Sequence, residues 1–282
     1  MKAIPHLATL SGRSVSSLGL GCSRLGSFNN RVSARDQEAC VTEAVTLGVN
    51  LFDTADVYAQ GDSERTLGRL LRDRRDDIFL VTKIGKRFSA KMRMMRPLKP
   101  VIRPLMSLVG GGEAVTRRRA ANISGDFTPA RYAGAVKSSL ARLNFDCVDG
   151  LLLHSPPGAT IGDPAVGEAL AALVRGGKVR SFGISCDDME ALDSALRMPG
   201  LGLLELPADL IEACEGTGRL SQARANGVAV LAREVIRCRP DLPPLDAVRH
   251  AASHVDTDAV VVGVSSVQRL RQIVETMVSA PC

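Results

Sequence analysis

The stretch LFDTADVYAQGDSERTLGRLL, residues 51–71, contains one complete strand-to-helix unit. A short apolar strand runs directly into Asp53, and a polar turn after it carries Tyr58, one of two tyrosines in the chain. An amphipathic helix begins near Ser63. Because the strand ends in a carboxylate that this helix cannot cover, the unit predicts polar chemistry at the carboxyl end of the strand.

The same unit recurs along the whole chain. Short apolar strands alternate with amphipathic helical segments, and several of these segments end at glycine. We predict eight strands, at residues 18–22, 50–53, 78–82, 148–153, 179–184, 201–206, 228–231 and 259–263. Apolar strands that alternate with helices indicate a parallel sheet covered on both faces. Eight such units in roughly 250 residues predict an α/β fold, a (β/α)8 TIM barrel.

The segments outside this repeat add a cap and an insertion. LATLSGRSVSS, residues 7–17, predicts an N-terminal β-hairpin that caps the bottom of the barrel. We interpret residues 1–282 as a single barrel domain with a basic insertion at about 84–125, between the third strand and the third helix. The insertion carries ten lysines and arginines against one acidic residue, Glu113, whereas the net charge of the chain is +6. The rest of the chain is therefore net negative.

The composition excludes several classes of protein. Hydrophobic residues make up 45% of the chain and charged residues 23%, which is typical of a soluble globular protein. The longest apolar runs have strand length, far below the roughly 20 residues that cross a bilayer, so we expect no transmembrane segment. No secretory signal is evident, and we expect a cytoplasmic protein. The seven cysteines and four histidines are scattered without ligand spacing, so we expect no metal site.

A glycine-rich turn after the first strand raises one alternative fold. GLGCSRLG, residues 19–26, occupies the position of the phosphate-binding turn in a Rossmann sheet. Its spacing does not match GxGxxG, and the acidic residue expected after a second strand is absent in the required context. The barrel is therefore favoured over the dinucleotide-binding sheet.

Polar side chains follow successive predicted strands, where the active sites of such barrels lie. Asp53 and Tyr58 follow the second strand, and Lys83 follows the third. His154 and Ser185 follow the fourth and the fifth. Each of them alone also suits a structural role, such as a solvated lysine or a helix-capping aspartate. Because four ionisable groups converge on one end of the barrel, we predict that they form a site.

These residue types suit proton transfer to a carbonyl oxygen. A phenol has an ordinary pKa of about 10, and we predict that the ammonium of Lys83 lowers the pKa of Tyr58. Asp53 is expected to pair with Lys83 and orient it, and His154 to bind a substrate oxygen or share in relaying the proton. The result is a proton donor for a developing alkoxide. Since no side chain supplies hydride, a nicotinamide cofactor is implied.

Four stretches resemble the aldo-keto reductases in order and in separation, and the resemblance extends over most of the chain. They are NLFDTADVYAQGDSERTLGRLL (50–71), FLVTKIG (79–85), SLARLNFDCVDGLLLHSP (139–156) and GGKVRSFGIS (176–185). The resemblance places Asp53, Tyr58, Lys83 and His154 on the catalytic tetrad of that family, with Tyr58 as general acid. It implies NADP(H)-dependent reduction of an aldehyde or ketone, or the reverse alcohol oxidation. NAD(H) is the alternative cofactor, and the substrate is a small carbonyl compound.

The resemblance also assigns cofactor-binding residues around the barrel mouth. These are Gly21, Cys22, Ser185, Cys186, Glu205, Arg233, Arg237, Gly263, Ser265, Arg269 and Gln272. Several positions depart from the pattern of the family. Glu205 replaces the glutamine that usually holds the nicotinamide amide, and Ala208 replaces a stacking tyrosine. Glu234 lies at a position of the pyrophosphate-binding loop of the family, where its negative charge would repel phosphate. The positive charges of Arg233 and Arg237 would offset this repulsion. The choice between NADPH and NADH therefore stays open.

Other hypotheses follow from these departures and from the insertion. One hypothesis is that the barrel uses the acid–base groups for a lyase or isomerase reaction, and another is that it is a non-catalytic adaptor that senses a cofactor. For the insertion at 84–125 the hypotheses are a solvated loop, a lid that attracts anions, and a segment that binds weakly to an acidic membrane surface. It contains few aromatic residues, so nucleic acid is not an expected partner. The sequence leaves substrate and reaction direction open, together with the choice between a monomer and a small homo-oligomer.

Overall fold

The computed structural model describes residues 6–10, 12–27, 32–89 and 123–279. Its strands, numbered along this part of the chain, are β1 (His6–Leu10), β2 (Arg13–Ser16), β3 (Leu18–Gly21), β4 (Leu51–Asp53), β5 (Phe79–Ile84), β6 (Lys86–Phe88), β7 (Ile123–Gly125), β8 (Val148–His154), β9 (Val179–Ser185), β10 (Leu203–Pro207), β11 (Ala229–Arg233) and β12 (Ala259–Val262). Eight of them form a closed parallel barrel in the order β10-β11-β12-β3-β4-β5-β8-β9. The predicted (β/α)8 fold is confirmed.

Helices follow the barrel strands and cover the outside of the barrel. In the same ranges of the chain they are α1 (Ala34–Thr46), α2 (Asp62–Leu70), α3 (Tyr132–Leu143), α4 (Gly158–Ile161), α5 (Pro164–Arg175), α6 (Met189–Leu196), α7 (Ala208–Ala213), α8 (Arg219–Ala225), α9 (Val235–Cys238), α10 (Pro244–Ser253) and α11 (Val267–Ser279). None of the helices described is long and apolar enough to cross a bilayer.

The strand bounds follow from burial on both faces. Each predicted strand overlaps a barrel strand, and the bounds agree within two residues. All residues of β4 and β5 are buried, because the helices pack on one face and side chains from other strands fill the interior. Apolar runs of this kind can be recognised in the sequence without any knowledge of the tertiary contacts.

The predicted hairpin closes the amino-terminal end of the barrel. β1 and β2 pair in antiparallel fashion, and Val15 of β2 packs with Leu51 and Phe79 in the barrel interior. The backbone N–H of Ser16 donates to Asn50 Oδ1 at 2.7 Å, and the backbone N–H of Asn50 donates to Ser16 Oγ at 3.0 Å. Since Asn50 directly precedes β4, the hairpin lies where the strands begin, opposite the predicted site.

A buried carboxylate attaches this hairpin to the strands. Asp149, the second residue of β8, is fully buried and accepts hydrogen bonds from Arg13 at 2.9 Å and from the backbone N–H of Leu80 at 2.9 Å. It also forms ion pairs with Arg75 at 2.8 Å and Arg180 at 3.5 Å. A buried charge is tolerated only when it is paired and hydrogen-bonded, and Asp149 meets both conditions.

Tight packing fixes the helix that follows the Tyr58 turn. A Cβ atom at Gly68 of α2 would lie 1.9 Å from the carbonyl oxygen of Leu143, so α2 and α3 approach at backbone distance. The fully buried Glu64 accepts a hydrogen bond from Thr82 Oγ1 at 2.7 Å and one from Arg142 Nε at 2.5 Å. These contacts connect α2 to β5 next to Lys83 and thereby hold the turn between β4 and α2 in place.

The structure also contains elements that the sequence did not predict. The short helices α4, α7 and α9 follow β8, β10 and β11. β6 and β7 pair in antiparallel fashion, with Lys86 opposite Gly125, and so join the two ends of the basic insertion. Residues 90–122 of that insertion, to which the lid and membrane hypotheses apply, lie outside the described residues.

Candidate active site

β4 and β5 bring the first two predicted site residues together. The two strands are parallel neighbours, with Asp53 at the end of β4 and Lys83 near the end of β5. Lys83 Nζ donates a hydrogen bond to Asp53 Oδ1, and both side chains are buried. The pair therefore forms without solvent competition, at the carboxyl end of the barrel.

Tyr58 is held over this pair by a strained turn. The turn Tyr58–Gly61 contains Ala59 and Gln60 in the left-handed region, with φ of 50° and 62°, which is unfavourable for residues with a Cβ atom. Lys83 Nζ lies 5.4 Å from the centroid of the Tyr58 ring. The ring of His154 stands edge-on to Tyr58, with centroids 5.7 Å apart and an interplanar angle of 89°. The ends of β4, β5 and β8 thus converge on one phenol.

The net pKa shift of Tyr58 is opposite to the sequence prediction. Burial raises the pKa of Tyr58 above its ordinary value, and the charges of Asp53 and Glu205 add to this effect. The ammonium of Lys83 lowers the pKa, as predicted, but does not outweigh burial. A local motif shows the neighbouring cation but not the burial of the phenol, which has the larger effect on its pKa. Tyr58 stays a neutral phenol, which is the form that a proton donor requires.

Two carboxylates determine the charge of Lys83. Burial lowers the pKa of Lys83, but Asp53 and Glu205 raise it by more, so the net pKa lies above the ordinary value and the side chain is a cation. Burial and the charge of Glu205 raise the pKa of Asp53 to about 7, against the opposing effect of Lys83. The ammonium is therefore permanent, and Asp53 holds a proton more tightly than an exposed aspartate does.

His154 is kept neutral by its surroundings. Burial lowers its pKa well below the ordinary value, and the nearby cations Lys83, Lys86 and Arg233 lower it further. Its Nδ1 atom is buried and has no hydrogen-bond partner among the described residues. A neutral imidazole presents one donor and one acceptor nitrogen, so His154 is suited to hydrogen-bond a substrate oxygen rather than to carry charge.

A cleft of about 650 Å³ extends from Tyr58 along the barrel mouth. Its volume lies in the range of roughly 300–1,000 Å³ that is common for ligand sites. Most of the predicted cofactor residues line it, namely Gly21, Cys22, Glu205, Arg233, Arg237, Gly263, Ser265 and Arg269. The other three, Ser185, Cys186 and Gln272, are not among the lining residues. Ser185 and Cys186 are buried, and Gln272 accepts a hydrogen bond from Arg269 at 3.5 Å.

The arginine-rich end of the cleft carries opposed charges. Glu234, which has a left-handed φ of 58°, pairs with Arg237 and also with Arg233 at 3.0 Å. Arg233 pairs with Asp187 as well. The guanidinium groups of Arg233, Arg237 and Arg269 supply the donors that the phosphates of a dinucleotide require, so the lining fits such a group. Glu234 competes with the phosphates for Arg233 and Arg237.

Glu205 belongs to the buried cluster of Asp53, Tyr58 and Lys83, although the sequence predicted it only as a cofactor-binding residue. Its Oε1 atom lies 3.1 Å from Lys83 Nζ, an ion pair that the sequence analysis did not predict. The sequence does contain a sign of this ion pair, because the carboxylate of Glu205 lies between the apolar residues Leu204 and Leu206 of a buried strand. An ionised group at such a position needs a buried cation, and Lys83 is the cation at the same end of the barrel.

Asp56, between β4 and Tyr58, makes the stability of the fold depend on pH. Its Oδ1 atom is buried and has no partner among the described residues. Burial and the charge of Glu64 raise the pKa of Asp56 to about 8, although Arg142 lowers it. The folded state thus binds a proton more tightly than the unfolded state, so the free energy of unfolding falls as the pH rises from about 4 to about 8.

Asp56→Asn should remove this dependence. Near pH 4 we expect no gain over wild type, because both forms are then uncharged at this position. The gain grows with pH and levels off above pH 8, at about 2 kcal/mol once the partial exposure of the residue is allowed for. Urea unfolding at a series of pH values measures it. Asp73→Asn, at an exposed site, serves as the control, and equal pH profiles for the two variants would count against the assignment.

Comparison with known proteins gives a consistent result. A sequence model described as Aldo/keto reductase family matches residues 17–237. The uncharacterized oxidoreductase YqkF of Bacillus subtilis is 33% identical over 173 residues, which is 61% of this chain and 45% of that protein. The D-threo-aldose 1-dehydrogenase of a Pseudomonas species is 29% identical over 244 residues, which is 83% of this chain and 70% of that protein.

Solved structures share the fold. The aldo-keto reductase AKR11C1 from Bacillus halodurans, in its holo form, superposes with a TM-score of 0.75 at 24% identity, over 98% of this chain and 91% of that chain. An aldo-keto reductase from Klebsiella pneumoniae in complex with NADPH gives a TM-score of 0.67 at 18% identity, over 100% of this chain and 92% of that chain. At these identities the similarity concerns the fold.

Proposed function

Since the chain belongs to the aldo/keto reductase family, we propose that it reduces a small aldehyde or ketone with NADP(H), or oxidises the corresponding alcohol in the reverse direction. The observation that carries the proposal is the buried pair of Lys83 and Asp53 beside Tyr58, at one end of a cleft lined by arginines. The NADPH complex of the Klebsiella pneumoniae protein supports the choice of cofactor.

In this proposal Tyr58 is the general acid. It donates its phenolic proton to the carbonyl oxygen as negative charge develops there. Lys83, 5.4 Å from the ring centroid, stabilises the phenolate that remains, and Asp53 holds Lys83 in that position. His154 binds the substrate oxygen through its neutral imidazole and so orients the carbonyl group towards Tyr58. A bound nicotinamide supplies the hydride, which no side chain can provide.

Binding of the nicotinamide cofactor tests the proposal directly. Titration with NADPH and with NADH, followed by nucleotide fluorescence, should show saturable binding, and the four arginines that line the cleft should favour NADPH for its additional phosphate. If neither nucleotide binds, carbonyl reduction is ruled out. The lyase or isomerase hypothesis would then account better for the acid–base cluster.

Glu234→Gln is expected to tighten NADPH binding by roughly three- to tenfold, because Arg237 loses its carboxylate partner and Arg233 loses one of its partners, which makes both guanidinium groups more available to the phosphates. The dissociation constant should be measured by fluorescence titration at low and high salt, and the difference between the two proteins should shrink at high salt. Glu212→Gln, which removes a carboxylate that pairs with Arg239 outside the cleft, is the matched control. Weaker binding by Glu234→Gln than by wild type would show that the carboxylate does not compete with phosphate.

A further inference from the structure

Glu205 lies beside the catalytic cluster but has no role in the mechanism above. It lines the cleft together with Asp53 and Tyr58, and only 1% of its surface is exposed. Its Oε1 atom is 3.1 Å from Lys83 Nζ. Its Oε2 atom is buried and accepts no hydrogen bond from the described residues, and Arg233 Nε lies 4.0 Å from it.

Lys83 consequently has carboxylates on two sides of the barrel. Asp53 lies on β4, the neighbour of β5, whereas Glu205 lies on β10, three strands away in the closed order. The ammonium therefore bridges the barrel interior and is held from both directions. This arrangement restricts Lys83 more than a single ion pair would, because its position is defined by two partners on non-adjacent strands.

Glu205 shares its cations with other carboxylates. The ammonium of Lys83 also pairs with Asp53, and the nearby guanidinium of Arg233 also pairs with Asp187 and Glu234. The charge of Glu205 lies in a buried site, where water screens charges only weakly. A glutamine at position 205 would have the same shape without this charge.

We propose that Glu205 is a positioning residue that holds Lys83 from the far side of the barrel and makes Tyr58 retain its proton, so that the site favours carbonyl reduction over alcohol oxidation. The preference for reduction over oxidation rests on the proposed function. The effect of Glu205 on Lys83 and Tyr58 concerns only side chains of this protein and can be tested without substrate or cofactor.

The charged groups around Tyr58 come from several strands. Asp53 on β4 and Lys83 on β5 face it directly, His154 on β8 is neutral, and the cation of Arg233 lies on β11 behind Glu205. The charge of Glu205 raises the pKa values of Tyr58, Lys83 and Asp53 alike. Replacing Glu205 by glutamine removes this contribution from Tyr58 while Asp53 continues to pair with Lys83.

The composition of the chain allows Tyr58 to be observed alone. The protein has no tryptophan and two tyrosines, and the second, Tyr132, lies on α3 and donates a hydrogen bond to the carbonyl oxygen of Phe127. In a Tyr132→Phe background, the ultraviolet absorbance of tyrosinate reports the ionisation of Tyr58 only. The comparison needed is between Tyr132→Phe and the double variant Tyr132→Phe/Glu205→Gln.

We expect the double variant to begin forming tyrosinate about one pH unit below the single variant, the scale of shift that one buried carboxylate charge causes at short range. Tyr132→Phe/Glu212→Gln, which removes a carboxylate outside the cleft, should not shift. A double variant whose tyrosinate appears at the same pH as in the single variant overturns the proposal. If the Tyr132→Phe background does not fold, the same comparison is made between wild type and Glu205→Gln, where the contribution of Tyr132 cancels.

The pH profile of kcat provides the second readout. In Glu205→Gln the rate of carbonyl reduction should begin to fall at a pH about one unit lower than in wild type, and alcohol oxidation should gain at the same pH. A merely structural role of Glu205 would lower both rates without moving either profile. If wild type shows no activity with any carbonyl compound, the proposed function fails, and the tyrosinate titration still decides the role of Glu205.

Discussion

Replacing Tyr58 by phenylalanine should lower kcat for carbonyl reduction by about 10²- to 10⁴-fold, the usual contribution of a positioned general acid. Neither His154 nor Lys83 can take over this role. His154 is held neutral, and Lys83 is fixed between Asp53 and Glu205 by buried ion pairs. The affinity for NADPH should change by less than about twofold, because the arginines that suit its phosphates keep their charges and their partners in this variant.

The matched control for this experiment is Tyr132→Phe, which removes the other tyrosine hydroxyl of the chain. Tyr132 lies on α3, and its hydroxyl is engaged with the carbonyl oxygen of Phe127 away from the cleft. Steady-state kinetics of both variants, together with NADPH titration, separate loss of chemistry from loss of binding. If Tyr58→Phe turned over at the wild-type rate, another group would have to supply the proton.

Most of the fold could be predicted from the sequence because each strand that is buried on both faces is a local run of apolar residues. A strand that is apolar along its length, followed by an amphipathic helix, identifies a βα unit without any knowledge of its neighbours, and eight such units determine the barrel. The short helices α4 and α9 were not predicted, because four residues are too few for a helical period to be recognised.

The predicted strands also indicate which residues meet in the candidate site, but they do not predict the pKa values and ion pairs of these residues. Strand-end residues in a parallel barrel meet at one rim, so the convergence of Asp53, Lys83 and His154 required only the correct strands. The raised pKa of Tyr58 depends on burial in three dimensions, and the ion pair of Glu205 depends on a contact across the barrel. Neither quantity is encoded in residue spacing.

The opposite end of the barrel provides the second large expected effect. Asp149→Asn keeps the shape of the side chain and its hydrogen bond from the Leu80 backbone, but it removes the charge that Arg13, Arg75 and Arg180 share. Breaking a buried ion pair on one side typically costs about 3–5 kcal/mol, because the remaining charges stay partly desolvated. We expect the free energy of unfolding to fall by about 3 kcal/mol and Tm to fall by roughly 6–12 °C.

This loss should be confined to stability, because Asp149 lies near the start of β8, whereas His154 is its last residue. Chemical and thermal unfolding, followed by circular dichroism, measure the change, and kcat per folded molecule should match wild type at a temperature where both proteins are folded. Glu168→Gln breaks the exposed pair with Arg175 and should leave Tm unchanged. If Asp149→Asn were as stable as wild type, the arginines would have to find other partners, and the attachment of the hairpin to β8 would not depend on this carboxylate.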